Sequence, residues 1–101
     1  MILVDEFETY VTNPELFRQK AELLKALGHP VRLCIVRGLI RQEGLNVSQL
    51  QSCLEKPQST ISQHLAKLRA AGIIAGERQG LEVYYRVISA EARKVVEALF
   101  K

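Results

Sequence analysis

A run of hydrogen-bonding side chains between Pro57 and Gly72 has a composition that an ordinary surface helix rarely shows. Ile61, Leu65 and Leu68 recur at helical spacing and predict a buried seam. The remaining positions carry hydroxyl, amide, imidazole and cationic groups and no acidic group: Gln58, Ser59, Thr60, Ser62, Gln63, His64, Lys67 and Arg69. Hydroxyl residues are weak helix formers, so we expect a function that offsets their cost. Amides, hydroxyls and cations are the groups that read base edges, and the pattern predicts a helix for the DNA major groove.

The same side chains could instead be helix caps and solvent-facing filler, so the neighbouring elements matter. Ser48 is the predicted N-cap of a short helix over residues 49–54. Lys56 and Pro57 then turn the chain into the polar helix. Two short helices across a tight turn predict a helix-turn-helix, which favours the DNA interpretation.

A β-hairpin is predicted to follow the helix-turn-helix. The predicted wing covers residues 76–86: residues 77–80 form a glycine-containing turn whose tip carries Arg78 and Gln79, and a period-two alternation of side chains begins at Leu81. Together these elements describe a winged helix, in which the hairpin is the wing. The helix over residues 57–71 would then enter the major groove, Arg78 would lie over the backbone or minor groove, and Lys67 would neutralise a phosphate.

Two helices are predicted before this motif. Asn13 and Pro14 have the residue types of an N-cap and a first helical position, and Gly28 ends that helix. His29 and Pro30 open a second helix, which is apolar on nearly all sides. The second helix is therefore expected to be buried.

A last helix is predicted over residues 90–100, with Ser89 as its N-cap and an apolar edge suited to packing against a second copy. Residues 1–13 are predicted to form an arm or short helix, and residues 14–101 the DNA-binding and dimerisation domain. The predicted fold is mainly α with a small β-hairpin. One such domain buries too little surface for selective binding, so we expect a two-fold dimer on a palindromic site.

Size and composition exclude several classes of protein. The chain has 101 residues and a mass of 11.4 kDa, which indicates one domain with little room for an enzyme's cleft. The sequence lacks a glycine-rich phosphate loop, a histidine-rich ligand pattern and a catalytic triad. Neither an enzyme nor a bound cofactor is therefore expected. The net charge of +3 is compatible with nucleic acid. The apolar runs are too short for a membrane span, so a cytoplasmic location is expected.

Cys34 and Cys53 are the only thiols in the sequence. Both fall at inward positions of predicted helices, and the first interpretation is that they are small buried apolar residues. The alternative is a redox pair, which would require α-carbons within about 7 Å of each other. This alternative would make the protein a thiol-responsive regulator.

The remaining polar residues of interest are His29, Arg32 and His64. His29 precedes a helix start and is expected to make a local hydrogen bond. Arg32 is expected to be buried and paired with Glu22 or Glu55. His64 could contact phosphate or a base, or bond to the neighbouring helix.

Three segments carry a family resemblance: LKALGHPVRLCIVRGL, NVSQLQSCLEKPQSTISQHLAKLRAAGII and RQGLEVYYRV. They resemble the arsenic-repressor-like (ArsR-type) winged-helix transcriptional repressors of bacteria. The resemblance covers about residues 21–87, and the run from Ser62 to Leu68 is its most specific part. It implies a homodimer formed by the first and last helices, bound to a palindromic operator until a signal lowers its DNA affinity.

The resemblance also implies where sensing residues would lie. Asn46 and Ser48 stand where one family site has cysteines, so a thiolate metal site is not expected. Ala90 and Ala92 align with the ligands of a second metal site, whose other ligands would lie beyond Lys101. A thiol-sensing site would use the position of Arg37 and a point near or past Phe100. No metal is therefore expected.

The sequence thus predicts a sequence-specific dimeric repressor that binds double-stranded DNA. The rival hypothesis is a winged helix that binds another protein and has no specific DNA site. Selection from pooled random duplexes separates the two, because an interaction module would enrich no motif.

Overall fold

The computed structural model of this chain describes residues 7–101. It contains α1 (Pro14–Leu27), α2 (Pro30–Arg41), α3 (Val47–Leu54), α4 (Gln58–Ala70), β1 (Ile74–Gln79), β2 (Glu82–Val87) and α5 (Ala90–Leu99). The order of elements is the predicted one. The fold is a winged helix-turn-helix, with α3 and α4 joined by a short turn and the two antiparallel strands forming the wing.

The helix boundaries follow from local capping. The Asn13 side chain accepts a hydrogen bond from the Leu16 amide at 3.1 Å, with Pro14 in the first turn. The Ser89 hydroxyl accepts from the Ala92 amide at 3.0 Å, so both predicted caps are confirmed. These bonds satisfy amides that a helix start leaves without partners.

The start of α3 was predicted two residues too late. Asn46, not Ser48, is the N-cap: its side chain accepts from the Gln49 amide at 2.9 Å. The Gln49 side chain accepts from the Asn46 amide in return, also at 2.9 Å. A reciprocal capping box satisfies two amides, whereas Ser48 alone would satisfy one.

The turn after α4 directs the chain into the wing. Gly72 has a φ of 73°, and its amide donates to the Arg69 carbonyl at 3.0 Å. The Ile73 amide donates to the Leu68 carbonyl at 3.0 Å, which completes a Schellman motif. A glycine is needed here because other residues adopt this backbone conformation at a cost. The motif places Ile73 in the core at the start of the wing.

One core holds all the elements together. It includes Ile35, Val36 and Leu39 of α2, the seam of α4 and the base of the wing. The second helix is less buried than predicted, because only one stripe of it faces the core while Cys34 and Arg37 are exposed.

The last helix ends at Leu99, one residue before the predicted end. Of the segment predicted as an arm or short helix, residues 7–13 contain a turn rather than a helix, and residues 1–6 lie outside the described part.

The wing is anchored at its base by β-bridge contacts. The Tyr85 amide donates to the Leu45 carbonyl at 2.9 Å, and the Gly44 amide donates to the Tyr85 carbonyl at 3.0 Å. Gly76 lies opposite Tyr85, and a Cβ at Gly76 would come within 2.8 Å of Val83. Because Gly76 has no side chain, the ring of Tyr85 can lie across this position and complete the core.

Candidate nucleic-acid interface

The outer face of α4 carries the hydrogen-bonding side chains predicted from the sequence. Ile61, Leu65 and Leu68 are at most 1 % exposed and fix the opposite side of the helix in the core. Among the predicted site residues on this helix, those that are exposed are Gln58, Ser59, Ser62, Gln63 and Lys67. The first turn contains no acidic residue, and Lys67 and Arg69 lie in the last turn.

These outward side chains are free to bind another molecule. Ser62 and Gln63 lie three and four positions after Ser59, so each of them is a neighbour of Ser59 on the outer face of the helix. Within residues 7–101 these side chains make no hydrogen bond to another protein group. A free amide can both donate and accept, which is the requirement for bidentate contact with a base edge.

Two of the predicted site residues lie on a flank of α4 instead. Thr60 and His64 are four positions apart and partly buried. His64 Nδ1 lies 3.2 Å from the NH1 of Arg32, a residue of α2 that is only 9 % exposed. The structure therefore places His64 against the neighbouring helix, one of the two interpretations open from the sequence.

The predicted carboxylate partner of Arg32 was wrong. Arg32 Nε donates to the Ala26 carbonyl at 2.6 Å, and NH2 donates to the Lys25 carbonyl at 3.5 Å. Within the described part of the chain, Arg32 forms no ion pair with Glu22 or Glu55. The last carbonyls of a helix lack partners and carry partial negative charge, so they can hold a guanidinium without a carboxylate.

His29 completes this cluster. Its Nδ1 accepts from the Val31 amide at 3.1 Å, which caps α2 and confirms the predicted local bond. Its ring lies 4.4 Å from the His64 ring, centroid to centroid. Partial burial lowers the pKa of His64 below its ordinary value, and the nearby His29, Arg32 and Lys67 lower it further. The lowered pKa favours the neutral imidazole, the form whose Nδ1 can accept a hydrogen bond from Arg32.

The lowered pKa of His64 makes the free energy of unfolding depend on pH. The folded protein holds this proton less tightly than the unfolded chain does. The contribution of His64 to the free energy of unfolding is thus fully present above the ordinary pKa of 6.5, and it is lost as pH falls through the folded-state value.

The wing presents a second exposed surface. The turn was predicted over residues 77–80, with Arg78 and Gln79 at its tip, whereas the last paired residues are Gln79 and Glu82, so Gly80 and Leu81 form the turn. Arg78 and Gln79 are exposed at the end of β1 rather than in the turn itself. Arg78 NH1 donates to the Gly80 carbonyl at 3.3 Å. Leu81, at 96 % exposure, was missed because the turn was placed too early.

The cysteines are not buried, contrary to the first interpretation. Cys34 and Cys53 are both exposed and free. Cys34 lies off the buried stripe of α2, and α3 buries Leu50 instead of Cys53. A redox pairing between them stays a prediction.

Neither a cluster of metal-ligating side chains nor a membrane-spanning helix is found within residues 7–101. No group of three or more His, Cys, Asp or Glu side chains lies close enough there to share a metal ion. None of the helices in that range has both the length and the apolar character that a membrane crossing requires.

Comparison with known proteins gives the same fold and a family. Residues 27–77 match the family model of a helix-turn-helix domain. The transcriptional repressor PagR of Bacillus anthracis is 44% identical over 79 residues, which are 78% of this chain and 79% of PagR. The repressor SmtB of Mycobacterium tuberculosis is 44% identical over 84 residues, 81% of this chain and 62% of SmtB. This chain belongs to the ArsR/SmtB family of transcriptional regulators.

Solved structures of relatives have the same architecture as this ArsR/SmtB-family regulator. The crystal structure of PagR aligns with a TM-score of 0.76 at 42% identity, covering 83% of this chain and 95% of PagR. Reduced HlyU from Vibrio cholerae aligns with a TM-score of 0.80 at 35% identity, covering 85% of this chain and 90% of HlyU. The winged helix predicted from the sequence is therefore confirmed.

The positions that the resemblance linked to sensing have other roles in this ArsR/SmtB-family chain. Asn46 is part of the capping box of α3, and Ala92 is fully buried at the start of α5. The Arg37 guanidinium lies 4.3 Å from the centre of the Phe100 ring, an arrangement typical of a cation–π contact. Arg37 is the position at which the resemblance placed the first cysteine of a thiol-sensing site.

Proposed function

We propose that this regulator is a homodimeric, sequence-specific repressor that inserts α4 into the major groove of each half of a palindromic operator. The observation that carries this proposal is the outer face of α4. Its amides and hydroxyls are exposed and unpaired within residues 7–101, and buried Ile61, Leu65 and Leu68 hold the helix rigidly. A rigid support matters because base readout depends on accurate placement of each donor and acceptor.

The surrounding charges support the same arrangement. Lys67 and Arg69 are exposed on α4, and Arg78 is exposed at the end of β1. Cations at the margins of a base-reading surface contact phosphates and set the register of the protein on the duplex. PagR and SmtB are both named repressors, which supports repression as the outcome of binding. A DNA-binding regulator of this kind would act in the cytoplasm.

Selection from pooled random duplexes tests the proposal. We expect enrichment of a motif with two inverted half-sites. The centres of the half-sites should be separated by about 10 base pairs or by a multiple of that distance, because a two-fold dimer places its two α4 helices along one face of the duplex. A pool that remains random after repeated selection, with a folded protein, would favour the rival protein-interaction module.

An exposed apolar surface supports the dimer. Leu27 is the only fully buried residue of α1, and Phe17 and Leu24 on the same helix are exposed within the described residues. Exposed large apolar residues collect on the N-terminal segment, on α1 and at the end of α5: Phe7, Tyr10, Val11, Phe17, Leu24, Leu99 and Phe100. Apolar surface on this scale commonly marks a subunit interface. We assign it to contact with a second copy.

Replacing Leu99 with Glu is expected to dissociate the dimer, because it would bury an unpaired charge at the interface. Sedimentation equilibrium should give twice the chain mass of 11.4 kDa for the wild type and a mass near 11.4 kDa for Leu99→Glu. Leu81→Glu is the matched control, since Leu81 is 96 % exposed on the wing. A dimeric Leu99→Glu protein would show that this part of α5 lies outside the contact.

A further inference from the structure

A single side chain connects the end of α1, the start of α2 and the flank of α4. Arg32 donates to the carbonyls of Ala26 and Lys25 at 2.6 and 3.5 Å, and its remaining nitrogen lies 3.2 Å from His64 Nδ1. Each of these partners is an acceptor. The guanidinium fork can satisfy all of them at once because its donors point in different fixed directions.

The connection joins the two working parts of the molecule. The proposed dimer surface includes α1, whereas α4 carries the proposed base-reading face. The angle between them decides whether both α4 helices of a dimer fit two half-sites together. We infer that Arg32 is a positioning residue for DNA recognition, which fixes α4 relative to the dimer helix through its bond to His64.

This inference rests on the proposed function and concerns selectivity more than general affinity. Loosening the joint lets α4 move as a unit, so its base-reading groups and the cations Lys67 and Arg69 are displaced together. Contacts with phosphate tolerate small displacements better than bidentate contacts with bases do. The measurable consequence is a lower ratio of specific to non-specific affinity.

Protonation of His64 should break the same joint. An imidazolium carries a proton on both nitrogens, so Nδ1 can no longer accept from Arg32. The charged and titratable groups that act on the His64 ring are His29, Arg32 and Lys67. The cleft between α1 and α4 beside Arg32 and Lys67 is lined by further charged groups of both signs: Glu15, Arg18, Glu22, Lys25 and Glu91. Helix α3, which also packs against α4, carries no charged residue, and the charged residues of β1, Glu77 and Arg78, are exposed. A positive charge on His64 is therefore repelled by the neighbouring cations. The same charge strengthens the non-specific attraction of the protein to DNA, so selectivity and non-specific affinity should change in opposite directions.

The test compares wild type, Arg32→Lys and His64→Asn. Lysine keeps the charge but has one terminal nitrogen and cannot serve all three acceptors. Asparagine keeps an acceptor, Oδ1, in the position of Nδ1 and does not titrate. Each protein is titrated at pH 5.5 to 8 with the duplex obtained by selection and with a scrambled duplex of equal length and composition. Circular dichroism at each pH establishes that each variant is folded.

The wild-type selectivity ratio is expected to fall as pH drops through the folded-state pKa of His64, which lies below the ordinary value of 6.5. His64→Asn should keep the selectivity ratio of the high-pH wild type across the whole pH range. Arg32→Lys should show a selectivity ratio lowered about tenfold at every pH, because the loss of one hydrogen bond to a charged group has an effect of that size. A folded Arg32→Lys protein with the wild-type ratio and pH profile would overturn the inference. A wild type that prefers neither duplex at pH 8 would overturn the proposed function as well.

Discussion

Leu65→Ala is expected to lower the free energy of unfolding by about 2–5 kcal/mol, the usual cost of emptying a buried leucine site. Leu65 is 1 % exposed in the centre of the α4 seam, between Ile61 and Leu68. The surrounding core comes from several elements, so neighbouring side chains can fill the cavity only in part. A domain of this size has about 5–15 kcal/mol of stability in total, and the loss is therefore a large part of it.

Urea denaturation followed by circular dichroism measures this effect, with Gln63→Ala as the matched control. Gln63 is on the same helix but exposed, so its replacement should change stability by no more than about 0.5 kcal/mol. The two variants thus separate the supporting side of α4 from its outer side. Equal urea midpoints for Leu65→Ala and wild type would mean that the seam does not support the helix.

Gln63→Ala is expected to weaken binding to the selected duplex by about 1–3 kcal/mol and to relax the base preference at one position in each half-site. Gln63 is exposed and, within residues 7–101, free of internal hydrogen bonds. Alanine removes both the donor and the acceptor of its amide. Titrating duplexes that carry each base in turn at every position of the motif locates the contact.

Lys67→Ala is the control for this measurement, because Lys67 lies one turn further along the exposed side and is assigned to phosphate. It should weaken specific and non-specific duplexes alike and reduce the slope of log affinity against log salt by about 1. Base preference should not change. Wild-type affinity for both variants, at low and at high salt, would remove α4 from the DNA interface.

Local signals explain why so much of the fold could be predicted. Asn13 with Pro14 and Ser89 determine helix starts through hydrogen bonds that span three residues, so the chain around them is sufficient. The seam of α4 follows from spacing alone, because any helix that buries Ile61 and Leu65 must turn Gln63 outward. The expectation of a dimer came from the small surface of a single domain as well as from the family resemblance, because periodicity describes one chain only.

Local signals also misled where two of them competed. Asn46 and Ser48 are both good capping residues, and the reciprocal bond with Gln49 decides between them. The turn was predicted to end at Gly80. In the structure Gly80 is the first residue of a two-residue turn, and Leu81 is the second. Each error displaced an element by a residue or two and left its type unchanged.

The sequence by itself therefore determined the order of elements, the caps of α1 and α5, and the polar outer face of α4, since these depend on neighbours within a few positions. Only the tertiary structure decided the exposure of Cys34 and Cys53 and the partners of Arg32. Those features depend on how each helix is rotated about its axis and on contacts such as Arg32 with His64, which are 32 residues apart. Packing of the whole core sets that rotation, and no short stretch of sequence contains the information.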